Sequence, residues 1–336
     1  MPHQPTIHAV AEAAQVSIAT VSYALAGKGN MSNATRERVL AVAAELGYAP
    51  NRIASALRHR RSHVIGLVND TISTTPFAGH VLLGANTAAS QAGLVVMTMS
   101  TNDEPDTEDR DFEILRSYQV DGIIYAKMFH QEITVPPALL KLPSVIVDAA
   151  PSTRERPAIV PDEEQIGATA TSYLLDHGHR DIVHLGIDAN LPSSRGRRKA
   201  YESVMRAAGA TPRVVHGESN AQGGYDATLR ALRDGPATAL FCFNDQMGMG
   251  AYAAAATLGL DIPRDLSVVG VDNLELVAAA LRPGLTTLRL PHYEMGVWAV
   301  EELARQMDRD PSPADQFETL AIACPLVERE SVARRT

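Results

Sequence analysis

The sequence is poor in cysteine and contains no long apolar segment. Its 336 residues include only 2 cysteines, Cys242 and Cys324, which are too few for a disulfide framework or a cysteine-based metal site. No uninterrupted apolar run is long enough to span a bilayer, and no charged stretch followed by an apolar one opens the chain. We therefore expect a cytoplasmic chain without a metal or a membrane segment, and a buried, apolar environment for Cys242.

The motifs of several enzyme classes are also missing. The sequence has no G-x-G-x-x-G at a first strand, no G-x-x-x-x-G-K-[ST] and no G-x-S-x-G. These loops hold a phosphate group or a nucleophile, so their absence argues against dinucleotide-dependent enzymes, nucleoside triphosphatases and serine hydrolases. We expect neither enzymatic activity nor a cofactor.

The chain is acidic as a whole but basic at its N-terminus. The net charge is -9, and a composition of 45% hydrophobic and 21% charged residues is that of an ordinary globular protein. Its length corresponds to about two or three domains. Up to Arg61 seven lysines and arginines stand against three glutamates, a net charge of +4, so the remaining chain carries -13. A basic module on an acidic body is typical of local contact with nucleic acid phosphates.

The basic N-terminal stretch has the pattern of two short helices joined by a tight turn. Thr6 and Ser17 are good N-caps, because their hydroxyl groups can accept the free N–H groups of a first helical turn. On the second helix, apolar Val21, Ala24 and Leu25 fall on one arc at helical spacing. A helix this short packs through one face and leaves the other free, which is the layout of a DNA-binding helix-turn-helix. The free face consists of Ile18, Ala19, Ser22 and Tyr23.

Two further helices are predicted before the body of the chain. Ser32 can cap a third helix, and Gly47 can end it, because glycine tolerates the positive φ of a helix C-terminus. Asn51 can cap a short helix that runs to Arg58. Isolated helices below about 12 residues are marginal in water, so we expect this segment to be poorly ordered without DNA.

A series of short matches along this stretch carries a family resemblance. The matching pieces are Val10-Ala11, Val16-Ser17, Thr20-Val21-Ser22, Thr35-Arg36, Leu46-Gly47-Tyr48 and Pro50-Asn51. In this order and spacing, they resemble the DNA-binding headpiece and hinge helix of the LacI/GalR family of bacterial repressors. The alternative is a small three-helix bundle with no role in nucleic acid binding.

The resemblance implies contacts with double-stranded DNA. The second helix would read base edges in the major groove, and the hinge helix would insert Leu57 as a wedge in the minor groove. A two-fold homodimer would present these helices to a pseudo-palindromic operator. Because no obvious heptad extension follows Ser331, we expect a dimer rather than a tetramer. The implied DNA contacts are Ser17, Ile18, Ala19, Thr20, Ser22, Tyr23, Arg36, Asn51, Arg52, Ser55, Leu57 and Arg58.

From Val64 onward, short apolar runs alternate with helical patterns. Continuous apolar strands between helices predict parallel sheets covered on both faces, and the strands are too many for one small sheet. We therefore expect an α/β fold with two doubly wound parallel-sheet lobes behind the all-α headpiece. Predicted strands begin at Val64, Leu94, Gly122, Val145, Ile182, Arg213, Ala239 and Leu266.

Fragments of the body resemble the periplasmic-binding-protein-like core of the same family. They include Gly178-His179-Arg180, Phe243-Asn244-Asp245, Leu285-Thr286-Thr287 and Leu326-Val327-Glu328. The resemblance implies that the chain crosses between two lobes three times. The predicted domains are the headpiece at residues 1–50, the hinge helix and linker at 51–61, a first lobe at 62–160 plus 291–318, and a second lobe at 161–290 plus 319–336.

Polar side chains follow several of the predicted strands. Asp148, Asp162, Asn244 and Asp272 lie at or beyond strand ends, and Arg197 begins a helix after another strand. Open α/β sheets bind ligands at the carboxyl ends of their strands, which places a cleft between two such lobes. Carboxylates accept from hydroxyl groups and arginine donates as a rigid fork, so the cleft suits a sugar. The family's effector contacts match Phe77, Asp162, Arg197, Asn244 and Asp272.

Several interpretations stay open at this point. Asn244 and Asp272 can instead cap helices or fix loops, because such side chains commonly satisfy local backbone groups. The leading hypothesis is a repressor whose operator affinity is controlled by a sugar or sugar derivative. One alternative is a nucleobase or nucleoside effector that acts as a corepressor. A third hypothesis is a solute-binding protein without a regulatory role, which the headpiece opposes.

Overall fold

The computed structural model describes residues 5–25, 27–48, 61–70, 76–101, 104–309 and 316–335, with the backbone alone at 76–78 and 105–106. The chain divides into two compact units, Met1–His63 and Val64–Thr336, and each is described by itself. The predicted hinge helix lies outside the described residues. The same holds for five of the predicted DNA contacts, Asn51, Arg52, Ser55, Leu57 and Arg58.

Three short helices make up the described part of the first unit. The hydroxyl oxygen of Thr6 accepts a hydrogen bond from the Ala9 N–H at 3.3 Å, and that of Ser32 accepts from Thr35 at 3.2 Å. Gly47 follows the third helix with a φ of 66°. The predicted helix ends at these positions are confirmed. The helices are α1 (Ile7–Ala13), α2 (Ile18–Leu25) and α3 (Asn33–Glu45).

The three helices share a small apolar core. Both Val21 and Ala24 of α2 are buried in it, as the predicted inward arc requires. Burial of this face fixes α2 against its neighbours and leaves the opposite face outside. The buried members of the core are Val10, Ala11, Ala14, Val21, Ala24, Val39 and Ala43.

In the second unit, strands and helices alternate along most of the chain. The helices are α4 (Pro76–Gln91), α5 (Pro105–Ser117), α6 (Glu163–Asp176), α7 (Pro192–Ala207), α8 (Ala221–Arg233), α9 (Asp245–Thr257), α10 (Glu275–Ala278) and α11 (His292–Met307). The strands are β1 (Val64–Asn69), β2 (Val95–Ser100), β3 (Gly122–Ile133), β4 (Ser144–Pro151), β5 (Ala158–Pro161), β6 (Ile182–Ile187), β7 (Arg213–Gly217), β8 (Ala239–Cys242), β9 (Ser267–Asp272), β10 (Thr286–Arg289), β11 (Thr319–Ile322) and β12 (Leu326–Val327).

The strands form two six-stranded sheets, one in each lobe. The first has the order β11-β5-β4-β3-β1-β2, and its pairings are parallel. The second has the order β12-β10-β9-β8-β6-β7, with β12 antiparallel to β10 and the other pairings parallel. Two mainly parallel sheets behind a helical N-terminal unit confirm the predicted fold class. The crossover helices bury the central strands, including Cys242 of β8 as predicted.

One predicted lobe boundary is wrong. Thr319 pairs with Ala158 and Ile322 pairs with Pro161, so β11 is a strand of the first sheet. The chain therefore leaves the first lobe after Ile322 and not after residue 318. The pairing partner β5 lies far away in the sequence, so the local pattern around Thr319 does not identify the sheet to which it belongs.

Strand β3 is longer than the sequence predicts. The predicted strand ends at Tyr125, whereas β3 continues to Ile133. Its register on β4 shifts between Ala126 and Gln131, which leaves residues 127–130 as a bulge. Polar and charged residues interrupt the apolar run here, so a pattern based on buried strands does not extend this far. The bulge carries Phe129 and His130 to the cleft between the lobes.

Two glycines bring α4 and α11 of the first lobe into close contact. A Cβ atom at Gly84 would collide with the carbonyl oxygen of Tyr293, and a Cβ atom at Gly296 would collide with that of Val81. The two helices therefore pack backbone against backbone, which glycine alone allows.

Two properties of the described residues bear on function. None of their helices is long and apolar enough to cross a membrane. They also contain no group of three or more His, Cys, Asp or Glu side chains arranged to hold a metal ion.

Candidate functional site

The outward face of α2 is the candidate DNA-binding surface. Ile18 is 38% exposed and Tyr23 is 55% exposed, and Ser17 and Ala19 are exposed as well. Ser22 is half-buried on the same helix. Because the opposite face fills the core of the unit, this face is available to a partner.

A hydrogen-bond pair fixes the first turn of α2. The Ser17 hydroxyl oxygen accepts a hydrogen bond from the Thr20 N–H at 3.1 Å, and the two hydroxyl groups are hydrogen-bonded at 2.9 Å. Ser17 is therefore the N-cap that the sequence predicts. A capped first turn presents its exposed side chains in a defined orientation. The DNA contacts of Ser17 and Thr20 stay predictions.

Arg36 has a structural role that the sequence does not predict. Its Nη2 atom donates to the carbonyl oxygens of Lys28 and Gly29, at 3.3 and 3.4 Å. Gly29 has a φ of 83°, and a Cβ atom there would lie 3.0 Å from the Cβ atom of Tyr23. Arg36 thus ties down the loop on which Tyr23 packs. Its predicted phosphate contact is not tested by these bonds.

In the second unit, a cavity of about 50 Å³ lies between the two lobes. The first lobe contributes residues from the β3 bulge and from β4, and the second lobe contributes residues from α6, α7 and the ends of β8 and β9. Of the five predicted effector residues, Arg197, Asn244 and Asp272 line this cavity, and Asp162 does not. The side chain of Phe77 is outside the described part of the chain.

A buried ion pair forms the second-lobe wall. Arg197 Nε donates to Glu163 Oε2 at 2.7 Å, and both side chains are 4% exposed. Arg197 Nη1 donates to the Phe243 carbonyl oxygen at 2.6 Å, and the guanidinium carbon lies 4.5 Å from the centre of the Phe243 ring. The other carboxylate oxygen of Glu163 faces His130 Nδ1 of the first lobe at 3.3 Å. Glu163 thus links Arg197 to the opposite lobe.

The pKa values of this pair follow from their contact. Burial by itself raises the pKa of Glu163, but Arg197 and His130 outweigh burial and hold the pKa below its ordinary value. Burial lowers the pKa of Arg197, and the charges of Glu163 and Asp272 more than reverse the shift. Both groups are therefore ionised at neutral pH.

Two neighbouring carboxyl groups lie beside the pair. Burial raises the pKa of Asp245 to about 7, although it accepts hydrogen bonds from Thr287 Oγ1 at 2.6 Å and the Leu274 N–H at 2.7 Å. Burial and the charge of Asp245 raise the pKa of Asp272 well above its ordinary value, although Arg197 opposes the shift. The backbone of Asp272 has a φ of 119°, in the left-handed region. A strained carboxyl group that resists ionisation beside a cavity is typical of a binding site.

The predicted residues Asp162 and Asn244 serve as helix caps. Asp162 Oδ1 accepts from the Gln165 N–H at 2.9 Å, and Asn244 Oδ1 accepts from the Met247 N–H at 2.8 Å. Asn244 also donates from Nδ2 to the Ser219 carbonyl oxygen at 3.1 Å. Capping explains why these residue types occur here. Their effector contacts stay predictions.

Other lining residues were not among the predicted effector contacts. Asp148, which the sequence places at a strand end, lies within β4 instead and has a φ of 56°. Its Oδ1 atom and Ser193 Oγ are buried, and neither has a hydrogen-bond partner. Glu163 directly follows Asp162 in the sequence, so its position just beyond a strand could have identified it as a candidate site residue. His130 was not predictable, because the β3 extension was not. The unpredicted lining residues are Met128, Phe129, His130, Pro161, Glu163, Ser193, Phe243, Leu290 and His292.

A wider surface depression of about 500 Å³ lies at the amino ends of β6 and β7. None of the predicted site residues lines it. Its Arg213 donates to the carbonyl oxygens of Pro236 and Ala231, so that guanidinium is already held by the backbone. The smaller cavity between the lobes is therefore the better candidate for a ligand site.

Comparison with known sequences agrees with this geometry. The lacI family of bacterial regulatory proteins matches residues 6–51, and a periplasmic binding protein-like domain matches residues 171–332. The HTH-type transcriptional regulator DegA of Bacillus subtilis is 32% identical over 87% of this chain and 88% of its own length. The ribose operon repressor of Escherichia coli K12 is 30% identical over 97% of this chain and 99% of its own length.

The chain belongs to the LacI family of bacterial regulatory proteins. The fold agrees, because a crystal structure of the lac repressor dimer bound to operator and the anti-inducer ONPF has a TM-score of 0.79 at 26% identity. That match covers 98% of this chain and 100% of the other. The family resemblance seen in the sequence is thus confirmed. As a member of the LacI family, the chain is a DNA-binding transcriptional regulator with a small-molecule effector, and these relatives are regulators rather than enzymes.

Proposed function

We propose that this LacI-family chain is a repressor that binds a pseudo-palindromic operator as a homodimer and responds to a sugar or sugar derivative bound between its lobes. The observation that carries the proposal is the polar cavity lined by both lobes, with buried groups on its walls that lack a hydrogen-bond partner. In a chain with a DNA-binding headpiece, such a cavity provides a place where a ligand can alter DNA binding.

The exposed face of α2 supports operator recognition. Ile18 and Ala19 offer apolar surface suited to the methyl group of thymine, and Tyr23 can also donate or accept a hydrogen bond. The lac repressor relative is a dimer on its operator, which supports the same arrangement here. A two-fold dimer would set two copies of α2 against two half-sites.

The chemistry of the cavity supports a hydroxyl-rich effector. Asp148 on the first lobe and Asp272 on the second offer acceptor oxygens, and Arg197 keeps N–H groups beyond those already used. A sugar presents hydroxyl groups in several directions and can meet all three. The relative named as the ribose operon repressor supports this class of effector.

Effector binding would act through the angle between the lobes. A ligand that touches Asp148 and Arg197 at once favours one lobe arrangement, by as much as its affinities for the two arrangements differ. The first lobe follows residues 51–61 in the chain, so a change in lobe angle would reach the DNA-binding headpiece through this connection. Such a change is a hinge motion between the two lobes.

Operator binding is tested by fluorescence anisotropy with DNA from upstream of the gene for this protein. We expect Tyr23→Ala to change which operator bases matter, and we expect Tyr118→Ala, which removes an exposed tyrosine of the second unit, to behave like the wild type. An even loss of affinity with unchanged base preference would assign Tyr23 to a phosphate contact. Absence of sequence-specific binding under every effector condition would reject the regulatory role.

Effector binding is tested by titrating a panel of sugars and nucleosides into the protein–operator complex. A sugar that releases the operator, with the response lost in Asp272→Ala, supports the proposal. A nucleoside or nucleobase that tightens operator binding would instead support the corepressor alternative. A sugar that binds the cleft without changing operator affinity would favour a solute-binding role.

A further inference from the structure

The lining of the cleft cavity is unbalanced in charge. Its described side chains include one lysine or arginine, Arg197, and three carboxyl groups, Glu163, Asp148 and Asp272, together with the two histidines His130 and His292. Even with Asp272 protonated, the two remaining carboxylates outnumber the arginine. The cavity is therefore a poor environment for a further negative charge.

The charge of Arg197 is already compensated within the protein. Its contact with Glu163 is 2.7 Å long, and both side chains are almost fully removed from water, where an ion pair is weakly screened. The same guanidinium is held by the Phe243 carbonyl oxygen and lies over the Phe243 ring. Arg197 can still donate hydrogen bonds to a ligand, but it is not a free counter-ion for a phosphate or carboxylate group.

The first-lobe wall requires a ligand that donates. Asp148 Oδ1 is buried without a hydrogen-bond partner, and a carboxylate oxygen can only accept. A hydroxyl group would satisfy this oxygen. A phosphate or carboxylate group would instead place a like charge against it. Ser193 Oγ on the opposite wall is also without a partner, and a hydroxyl group can both donate to it and accept from it.

We propose that Glu163 is the charge-selecting residue of the cleft: by neutralising Arg197, it makes the cleft accept an uncharged, hydroxyl-bearing ligand and reject phosphorylated or carboxylated ones. This inference rests on the proposed effector role of the cleft and narrows the class of effector.

The test uses inorganic phosphate and the pair ribose and ribose 5-phosphate as probes of the full chain. Thermal midpoints and calorimetric titrations are measured at constant ionic strength and pH 8, where histidine is generally neutral. Wild-type protein is expected to show no stabilisation by either anion beyond a matched chloride control. In Glu163→Gln, which keeps the shape and removes the charge, we expect anion affinity to rise at least about tenfold, because a like charge has been removed.

A matched control removes a carboxylate from the rim of the same cleft. Glu132 lies on the β3 extension, is 64% exposed and pairs with Arg195 rather than with Arg197. Glu132→Gln is expected to respond to phosphate as the wild type does. A similar gain in both variants would show that net charge, and not the Glu163–Arg197 pair, decides the anion response, and this would overturn the proposal.

Two further experimental outcomes test the charge-selecting role of Glu163. Anion binding by the wild type that disappears in Arg197→Gln would overturn the proposal, as would a folded Glu163→Gln variant that gains no anion affinity. If Glu163→Gln does not fold, Glu163→Asp takes its place: the shorter side chain lengthens the contact with Arg197, and we expect a smaller gain in anion affinity, whereas a folded Glu163→Asp variant without any gain would overturn the proposal. Failure of the broader proposal is distinguishable, because the effector role is judged by operator release with sugars and not by the anion titrations.

Discussion

The charged groups on the two walls of the cleft differ in whether they already have a partner inside the protein. On the second-lobe wall, Arg197 is held by short hydrogen bonds to Glu163 and to the Phe243 carbonyl oxygen, although Ser193 Oγ has no partner there. On the first-lobe wall, Asp148 keeps an acceptor oxygen without a partner. A buried ion pair whose hydrogen bonds are already formed is preorganised and costly to disturb, whereas an acceptor without a partner can bind a donor of the ligand. The Arg197–Glu163 pair is therefore held in place before a ligand binds, whereas Asp148 Oδ1 would gain its partner from the ligand.

The largest effect is expected from breaking the ion pair between Arg197 and Glu163. Arg197→Ala leaves Glu163 buried without its partner, and the loss of one member of a buried ion pair typically costs about 3–5 kcal/mol. We expect this loss of unfolding free energy in urea titrations, together with loss of the effector response. Arg195→Ala, which removes an arginine that is 49% exposed from the same helix, should cost less than about 1 kcal/mol. Equal losses of unfolding free energy in the two variants would mean that the buried pair contributes no more to stability than the exposed arginine does.

The second-largest expected effect is a loss of stability of the second lobe at acid pH. Burial lowers the pKa of His184 to about 4. The ring of this histidine stacks on Phe241, and its Nδ1 atom donates to the Phe241 carbonyl oxygen. Burial likewise lowers the pKa of His179 to about 4. The folded state keeps both rings neutral while the unfolded state takes up protons, so stability is lost as the pH falls from about 6.5 towards 4. At pH 5 the loss is about 2 kcal/mol for each histidine.

The acid effect is measured by urea unfolding at pH 7 and pH 5. Replacement of His184 by phenylalanine should reduce the difference between the two pH values by about half, since one of the two buried histidines no longer titrates. An unchanged pH difference in a folded His184→Phe variant would reject this explanation.

A smaller effect is expected on the first-lobe wall. Asp148→Asn keeps the shape, and asparagine tolerates the positive φ of this position. Because the open oxygen has no internal partner to lose, the unfolding free energy should change by less than about 1 kcal/mol. Affinity for a neutral sugar effector should fall about tenfold, because a charged acceptor gives way to a neutral one. Calorimetric titration separates the two effects, and a large loss of stability with unchanged affinity would reverse the roles assigned to the two walls.

The smallest effect is expected at the rim. Glu132 and Arg195 form a contact of 2.6 Å between the lobes, but both side chains are largely exposed. An exposed pair contributes about 0–1 kcal/mol, so Glu132→Gln should leave unfolding free energy and effector midpoint nearly unchanged. A clear shift of the effector midpoint would mean that the rim contact holds the lobes in one arrangement.

Local patterns predicted the parts of the molecule that depend on local structure. The caps at Thr6, Ser17 and Ser32 were predictable because a cap bonds to the turn that follows it. The buried arc of α2 followed from helical spacing. Most strands followed from apolar runs, because parallel strands are covered on both faces. The short strands β5 and β10 were missed, because β5 ends in a proline and β10 contains two threonines and an arginine, so neither is a continuous apolar run.

The site was predictable only where a resemblance or a strand end marked it. Arg197 and Asp272 were found in this way, and both line the cavity. The partner of Arg197 was not found, because Glu163 lies 34 residues earlier in the chain and only folding brings them together. His130 depends on the β3 bulge, whose polar sequence does not resemble a buried strand. Pairings between distant segments are set by tertiary packing, which no local pattern contains.

The reciprocal glycines of the first lobe have a mechanical consequence. With Gly84 against the Tyr293 carbonyl and Gly296 against that of Val81, α4 and α11 meet at two points along their length. The two contacts involve residues one helical turn apart on each helix, so they set the register of α4 against α11 where the backbones meet. A side chain at either glycine would force the helices apart. Since α11 begins at His292, which lines the cleft, such a substitution would also shift one of the cleft's lining residues.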